Sequence, residues 1–351
     1  MLKKTLFAVI ILALVAVAAF FFLSNYFEGL LEPANPLASD EEVLVEISSG
    51  SGTSDIARLL ENEGLIQNEL AFRIYSRQQG LDQSYMAGKY LLNPSMSVPQ
   101  IALKLATGDQ YTETVWFTIP EGFTVVEIAA RLGDMDLVDE DIFLGLAKTP
   151  SSRLLEQFPF LGDIEHPGID YTLEGYLFPD TYEIFRDASE EEIISLMLAQ
   201  LVKIIGDEHL ETVEGSGYNL HEILTVASLV EREGRVDHER PRIAGVFYNR
   251  LAIGQRLESC ATIQYILGET KEFLTFADLE LPSPYNTYRN DGLPPGPIAA
   301  PGEASIMAAL YPEETGYYFF NYKYDDSGEH YFSRTLQEHN ANVQRAEENL
   351  R

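Results

Sequence analysis

The sequence predicts an α+β protein that begins with an apolar helix. Helical and strand-like patterns are mixed along the chain without strict alternation, and short aromatic strands follow the last long helices. Hydrophobic residues make up 46% of the chain, as expected for a folded protein. The length of 351 residues exceeds what one compact core accommodates. We therefore expect two or three domains.

The N-terminal segment predicts a membrane anchor. Leu6–Leu23 is an unbroken apolar run, which as a helix reaches about 27 Å, close to the hydrocarbon thickness of a bilayer. Lys3 and Lys4 precede the run, and the next basic residue is Arg58. This asymmetry predicts a single-pass protein of the cell membrane, with residues 1–27 as cytoplasmic tip and anchor and the bulk on the extracytoplasmic side.

The alternative for this segment is a cleaved signal peptide. Ala16-Val17-Ala18 matches the small-residue cleavage pattern. The apolar run continues past it through Phe20–Leu23, so cleavage would leave exposed aromatic residues at the new N-terminus. A retained anchor is therefore favoured, and residues 28–42, with their prolines and acids, form the expected linker.

An internal repeat follows the linker. Ile47–Gly50 and then Asp55–Leu60 recur as Ile119–Gly122 and Glu127–Leu132. Each copy predicts a strand, a glycine turn and a helix. The pattern resembles the LysM glycan-binding module, and two ordinary strand-turn-helix units are the alternative. We take 43–148 as one LysM-like, glycan-binding region.

Further elements are predicted from apolar periodicity and aromatic runs. They are helices over 97–106, 190–205, 221–233, 239–251 and 340–350, and strands over 317–324 and 330–333.

The composition excludes several kinds of partner and site. The net charge of −31 repels phosphates, so nucleic acid is not an expected partner. Cys260 is the one cysteine, which rules out an intramolecular disulfide. The six histidines show no metal-ligand spacing, so neither a metal nor a cofactor is expected.

The predicted helix over 221–233 carries the candidate acids. At 100° per residue, Glu231 falls on the apolar side of the helix. Apolar surroundings disfavour the charged form of a carboxylic acid, as a general acid requires. Glu233 also falls among apolar positions, so geometry alone does not choose between them. The plainer interpretation is an acid held at the helix end by Arg232 or Arg235.

Aromatic and polar residues in the flanking loops fit a sugar-binding groove. Tyr176, Tyr285 and Tyr288 could stack on sugar rings. Asn286 and Thr287 could hydrogen-bond to hydroxyl and acetamido groups. The alternative is that these tyrosines fill the protein core.

Four ordered motifs resemble the endolytic murein transglycosylase family, also called YceG-like. They read LTVASLVEREG, VFYNRL, SPYNTYRNDGLPPGPIAAPG and, earlier in the chain, EGYLFPDTY. The resemblance implies an anchor, a LysM-like region and a catalytic domain, here 149–351. The family's catalytic residue is the first glutamate of V-E-[KR]-E, which is Glu231, and Glu233 is assigned to substrate binding. Many members carry an aspartate where this chain has Cys260, so Cys260 receives no catalytic role.

The resemblance implies cleavage within peptidoglycan glycan strands. Glu231 would protonate the glycosidic oxygen between N-acetylmuramic acid (MurNAc) and N-acetylglucosamine (GlcNAc). The C6 hydroxyl of MurNAc would then close a 1,6-anhydro ring, which would terminate nascent strands. The implied partners are glycan strands, the inner membrane and peptidoglycan synthases.

Two other functions remain open at this point. A glycoside hydrolase would need a second carboxylate, for which Glu174, Asp180 and Asp278 are candidates. A non-catalytic scaffold would only bind glycan through the LysM-like region.

Overall fold

The computed structural model describes residues 2–38, 41–164, 167–271 and 273–350. Helices and short antiparallel strand pairs are mixed, so the fold class is α+β. The described chain divides into two compact units, Met1–Glu113 and Thr114–Arg351.

Helix α1 (Leu2–Leu31) opens the first unit. Within it, Ile10–Leu31 is long and apolar enough to cross a membrane. The helix runs further than the apolar pattern alone predicts, because Glu28–Leu31 continue it into the expected linker. Residues 39 and 40 of that linker lie outside the described residues.

The rest of the first unit is a small α+β core. Its elements are β1 (Val43–Ile47), α2 (Thr53–Asn62), α3 (Glu69–Gln78), β2 (Gly88–Leu92) and α4 (Val98–Thr107). Strands β1 and β2 pair antiparallel, with Val43 opposite Leu92. One face of the pair carries Val45 and Ile47 into a core with Leu60 and Leu105. The alternating burial of β1 is what a half-buried strand requires.

The second unit holds the remaining elements. They are β3 (Thr114–Thr118), α5 (Val125–Asp134), α6 (Glu140–Lys148), α7 (Ser152–Gln157), β4 (Thr181–Phe185), α8 (Glu190–Ser216), α9 (Leu220–Glu233), α10 (Arg240–Ala252), α11 (Cys260–Leu267), α12 (Phe276–Leu279), α13 (Glu303–Leu310), β5 (Phe319–Tyr322), β6 (His330–Ser333) and α14 (Leu336–Asn349). Short 3-10 turns span Pro159–Asp163 and Asp237–Glu239. Helix α9 is central, since Ile223–Val230 are all buried.

The pairing of β3 with β4 builds residues 114–148 into the second unit. The two strands are antiparallel, with Thr114 opposite Phe185 and Thr118 opposite Thr181. Side chains from α5 share one apolar core with those of α9. The compact units therefore divide at Glu113, ahead of the expected boundary at Lys148.

Both copies of the repeat form the predicted strand, glycine turn and helix. In the first, β1 leads through Gly50 to α2; in the second, β3 leads through Gly122 to α5. Both glycines have positive φ, +83° and +76°, a backbone conformation that other residues adopt at a cost. The two copies belong to different compact units. Glycan binding by 43–148 stays a prediction.

Most of the predicted elements are confirmed, and some differ from the prediction. The helix predicted to end at 205 continues to Ser216 as α8 through a kink at Gly206, whose φ is +57°. The short helices α11 and α13 lie in the region expected to be loop. In α13, buried residues face several directions, so no amphipathic pattern marks it.

We predict that residues 114–351 fold on their own, whereas residues 149–351 do not. The shorter fragment lacks β3 and α5, which leaves β4 unpaired and exposes the core around Leu224. Circular dichroism should show a cooperative thermal transition only for the longer fragment. A cooperative transition in 149–351 would contradict this prediction.

Candidate active site

The candidate acids lie at the C-terminal end of helix α9. The helix begins at a capping box, in which Asn219 and Glu222 satisfy each other's backbone N–H groups. Its buried middle holds the helix in the core, and Glu231, Arg232 and Glu233 emerge where it ends. A carboxylate is unfavourable at this end of a helix, so partners from other elements must stabilise it.

Three groups hold the Glu231 carboxylate. Its Oε2 accepts hydrogen bonds from the Gly302 backbone N–H at 3.0 Å and from the Ser305 hydroxyl at 2.8 Å. Its Oε1 lies 3.2 Å from Arg240 Nη1. Gly302 is the N-cap of α13, so the carboxylate sits at a helix N-terminus that favours anions.

These surroundings differ from the apolar ones expected from the helix pattern. The Glu231 side chain is only 7% exposed, as expected of a residue on the buried side of α9. However, the partners of its carboxylate are two hydrogen-bond donors and a cation. These contacts fix the position of the Glu231 carboxylate.

Arg240 links Glu231 to two further groups. Its Nη1 donates to Ser305 Oγ at 2.5 Å, and its Nε donates to Asp237 Oδ1 at 3.1 Å. The guanidinium is buried at the first turn of α10. Sequence reasoning missed Arg240 and Ser305, because nothing local marks either residue as facing Glu231.

The turn Glu121–Gly122 lies beside Glu231 and Gly302. Gly122 N–H donates to Ala300 O at 2.8 Å, and Gly122 O accepts from Arg232 Nη1 at 3.0 Å. The Glu121 carboxylate lies so close to Gly302 that a methyl group there would overlap it. Burial and, next, the charge of Glu231 raise the pKa of Glu121, while Arg240 opposes the shift. Glu121 was predicted only as part of the repeat.

Glu233 has a separate set of partners. Ser259 Oγ donates to Glu233 Oε1 at 2.6 Å. Next to Ser259, the Cys260 thiol lies 3.1 Å from the Tyr288 hydroxyl, and burial raises the pKa of that thiol. The two glutamates of α9 are thus held by different segments, so their roles can be tested one at a time.

Three residues of the loop 285–288 are buried. Asn286 Nδ2 donates to the backbone oxygens of Leu279 and Leu281, which fixes the loop. Thr287 Oγ1 accepts from Ser259 N–H at 3.0 Å. Tyr285 is 2% exposed, and Tyr288 is half-buried. Of the residues predicted to bind sugar in this loop, Tyr288 is the one that is not fully buried.

Tyr176 lies in the interior, where its ring is 1% exposed. Its hydroxyl lies 2.9 Å from His221 Nδ1, and His221 Nε2 lies 2.8 Å from Pro295 O. Because a carbonyl oxygen only accepts, Nε2 is the donor in this contact. This placement differs from the expected stacking on sugar, because the ring is covered by protein and braces the proline-rich loop through His221.

A cavity of about 460 Å³ lies beside Arg232. Glu174 lines it and accepts hydrogen bonds from Val125 N–H and from the Tyr265 hydroxyl. Burial raises the pKa of Glu174 to about 8. A carboxylic acid with this pKa is mostly uncharged at neutral pH.

The other acids named from the sequence have partners of their own. Asp180 accepts from Gln200 Nε2 at 2.7 Å. Asp278 pairs with Lys271 at 2.9 Å, and hydrogen bonds from Lys271 and Thr275 lower the pKa of Asp278 to about 2. Glu121 differs from these acids, because burial and then the charge of Glu231 raise its pKa.

Comparisons with known proteins show which family this chain resembles. The model of the YceG-like family matches residues 45–345. A Bacillus subtilis protein named endolytic murein transglycosylase is 36% identical, over 90% of this chain and 87% of its own. A protein of the same name from Streptococcus pneumoniae is 32% identical over 95% of this chain, which spans 63% of that relative.

A solved structure shows a similar fold. It is the crystal structure of a YceG-like protein from Listeria monocytogenes, 38% identical in sequence. The match has a TM-score of 0.60 and covers 86% of this chain and 99% of the other. The family match spans most of the chain and both compact units, and the chain belongs to the YceG-like family.

Proposed function

We propose that this protein is an endolytic murein transglycosylase that cleaves the MurNAc–GlcNAc bond within glycan strands and leaves 1,6-anhydro-MurNAc ends. The observation that carries the proposal is the Glu231 carboxylate, held by Gly302, Ser305 and Arg240 at the end of α9. Two relatives that match most of the chain bear the name of this activity.

The proposed reaction uses Glu231 twice. Protonated Glu231 gives its proton to the glycosidic oxygen as the bond from C1 of MurNAc to that oxygen breaks. The C6 hydroxyl oxygen of the same sugar then bonds to C1, and its proton returns to the Glu231 carboxylate. No water enters the product, so one carboxyl group suffices, in contrast to the pair that hydrolases use.

The hydrogen bonds to Glu231 suit the second half of this reaction. Gly302 and Ser305 both donate to Oε2, and Oε1 faces Arg240. The carboxylate is therefore held in one position before it accepts the proton of the C6 hydroxyl. A fixed base avoids the reorganisation that a free side chain would need.

Hydrolysis is a second candidate function, and the proximity of Glu121 to the site favours it. Two carboxyl groups near one bond can act as acid and base on a water molecule. The products distinguish the two reactions, because hydrolysis leaves a reducing MurNAc end and transglycosylation leaves the anhydro ring.

We further propose that helix α1 anchors the protein in the cell membrane, with the rest of the first unit and the whole second unit outside. In this position the second unit meets glycan strands as synthases release them, and cleavage there terminates nascent strands. The first unit, with its copy of the repeat, would bind glycan.

We predict that Glu231→Gln lowers cleavage by roughly 10²–10⁴-fold, the usual contribution of acid–base catalysis. The variant should stay folded, because Arg240 keeps Asp237 and Ser305 as partners. Its Tm should be lower, because the ion pair between Arg240 and Glu231 is lost. Mass spectrometry of digested glycan strands measures the anhydro product. The matched control is Glu233→Gln, whose amide oxygen can still accept from Ser259, and we expect a much smaller loss. Undiminished anhydro product from Glu231→Gln would exclude Glu231 as the acid.

We also predict that protease added to intact spheroplasts degrades the region after α1. The reason is the position of Lys3 and Lys4 before the apolar run, which orients the N-terminus inward. Immunoblotting against a C-terminal epitope follows the fragment. Complete protection, with degradation only after lysis, would reverse the proposed orientation.

A further inference from the structure

The partners of Glu231 leave one requirement of the proposed reaction unmet. Protonation of the glycosidic oxygen needs a carboxylic acid, and the contacts of Glu231 with Arg240, Ser305 and Gly302 supply two donors and a positive charge but no further acid. A neighbouring group that raises the affinity of the site for a proton would meet this requirement. A second carboxylate nearby has this effect, because like charges close together disfavour double ionisation.

Glu121 is placed to supply that charge. The backbone of the turn is fixed on both sides, by Gly122 N–H to Ala300 O and by Arg232 to Gly122 O. Both carboxylates converge on Gly302, which donates its N–H to Glu231 and whose missing side chain leaves room for Glu121 Oε1. The position of Glu121 therefore follows from the backbone and from the glycine.

The charges around this pair are unbalanced. Glu121 faces Glu231 from α9, Arg240 from α10 and Asp237 from the preceding 3-10 turn. Arg232, which donates to the Gly122 carbonyl, is a second cation beside the turn, so two cations stand against three carboxylates. Burial first, and then Glu231, raise the pKa of Glu121. Of the pair, Glu121 is the carboxyl group whose affinity for a proton is raised.

We propose that Glu121 is a positioning residue that shares one proton with Glu231 and so supplies the acid for glycosidic bond cleavage. The inference rests on the proposed function. The shared proton passes through Glu231 to the glycosidic oxygen as the C1–O bond breaks. The proton of the C6 hydroxyl then returns to the Glu231–Glu121 pair as the oxygen bonds to C1. The pair ends the cycle with the proton it began with.

The test is the pH dependence of kcat/KM for the full-length chain in detergent micelles, acting on purified glycan strands. In the wild type, activity falls as pH rises and the shared proton is lost. Glu121→Gln removes the negative charge beside Glu231, so the site loses its proton at a lower pH. The fall of kcat/KM on the alkaline side of the pH profile, here called the alkaline limb, should therefore shift by about one pH unit or more towards acid. Activity should drop about tenfold at neutral pH and recover partly in mild acid.

Two controls separate charge from structure. Glu121→Asp keeps the negative charge, so its alkaline limb should lie at the same pH as that of the wild type. Glu183→Gln removes one charge from an exposed position on β4 and should leave the profile unchanged. A loss of activity in Glu121→Gln by the same factor at every pH, with the limb unmoved, would show a merely structural role and overturn the proposal.

A second variant changes Gly302, which lies beside both carboxyl groups. Gly302→Ala places a methyl group where the Glu121 carboxylate lies. Alanine tolerates the backbone at Gly302, where φ is −74°, and the end of the Glu121 side chain can move away, so folding should be retained. We expect the alkaline limb to move in the same direction as in Glu121→Gln, and an unmoved limb would count against the shared proton.

The outcomes distinguish this inference from the proposed function. If the wild type yields no anhydro product, or if Glu231→Gln yields as much as the wild type, the proposed function fails. If the wild type and Glu231→Gln behave as expected but the alkaline limb of Glu121→Gln lies at the wild-type pH, the shared proton is excluded and the proposed function stands.

Discussion

The carboxylate of Glu231 lies between the ends of two helices, and the arrangement of the second unit follows from how that charge is stabilised. The end of α9 disfavours an anion, whereas the start of α13 favours one. The carboxylate bridges the two, with Gly302 and Ser305 as donors and Arg240 as counter-ion. The middle of α9, Ile223–Val230, is buried, and this tightly packed segment holds the end of the helix in place.

The same constraint explains why the segment before Lys148 belongs with the second unit. The turn at Gly122 continues directly from β3, which is held by β4, and it reaches the segment that carries Gly302. The second copy of the repeat thus contributes Glu121 to the candidate site, while the first copy lies in the other unit. The two copies of the repeat therefore have similar sequences but belong to different compact units.

Local features of the sequence predicted most of the elements. The apolar spacing of α9 made Glu231 and Glu233 candidates, and the choice of Glu231 from the family motif stays a prediction. Arg240 and Glu121 could not be found in this way, because their proximity to Glu231 arises from packing between segments far apart in the chain. The pairing of β3 with β4 likewise has no local signal, so a division of the compact units at Glu113 could not be predicted from the sequence. Tyr176 shows a further limit, since residue type alone does not tell a buried ring from an exposed one.

The contact between α9 and α13 has a consequence for how this protein can evolve. The donors to Glu231 are carried by α13, so a change of side-chain volume between the two helices also changes the donor–acceptor distance at the carboxylate. Hydrogen bonds weaken steeply with poor geometry, and tightly packed interiors transmit such displacements. Substitutions at core positions remote from the sugar are therefore expected to change reaction rate as well as folding, unless neighbouring volumes change together.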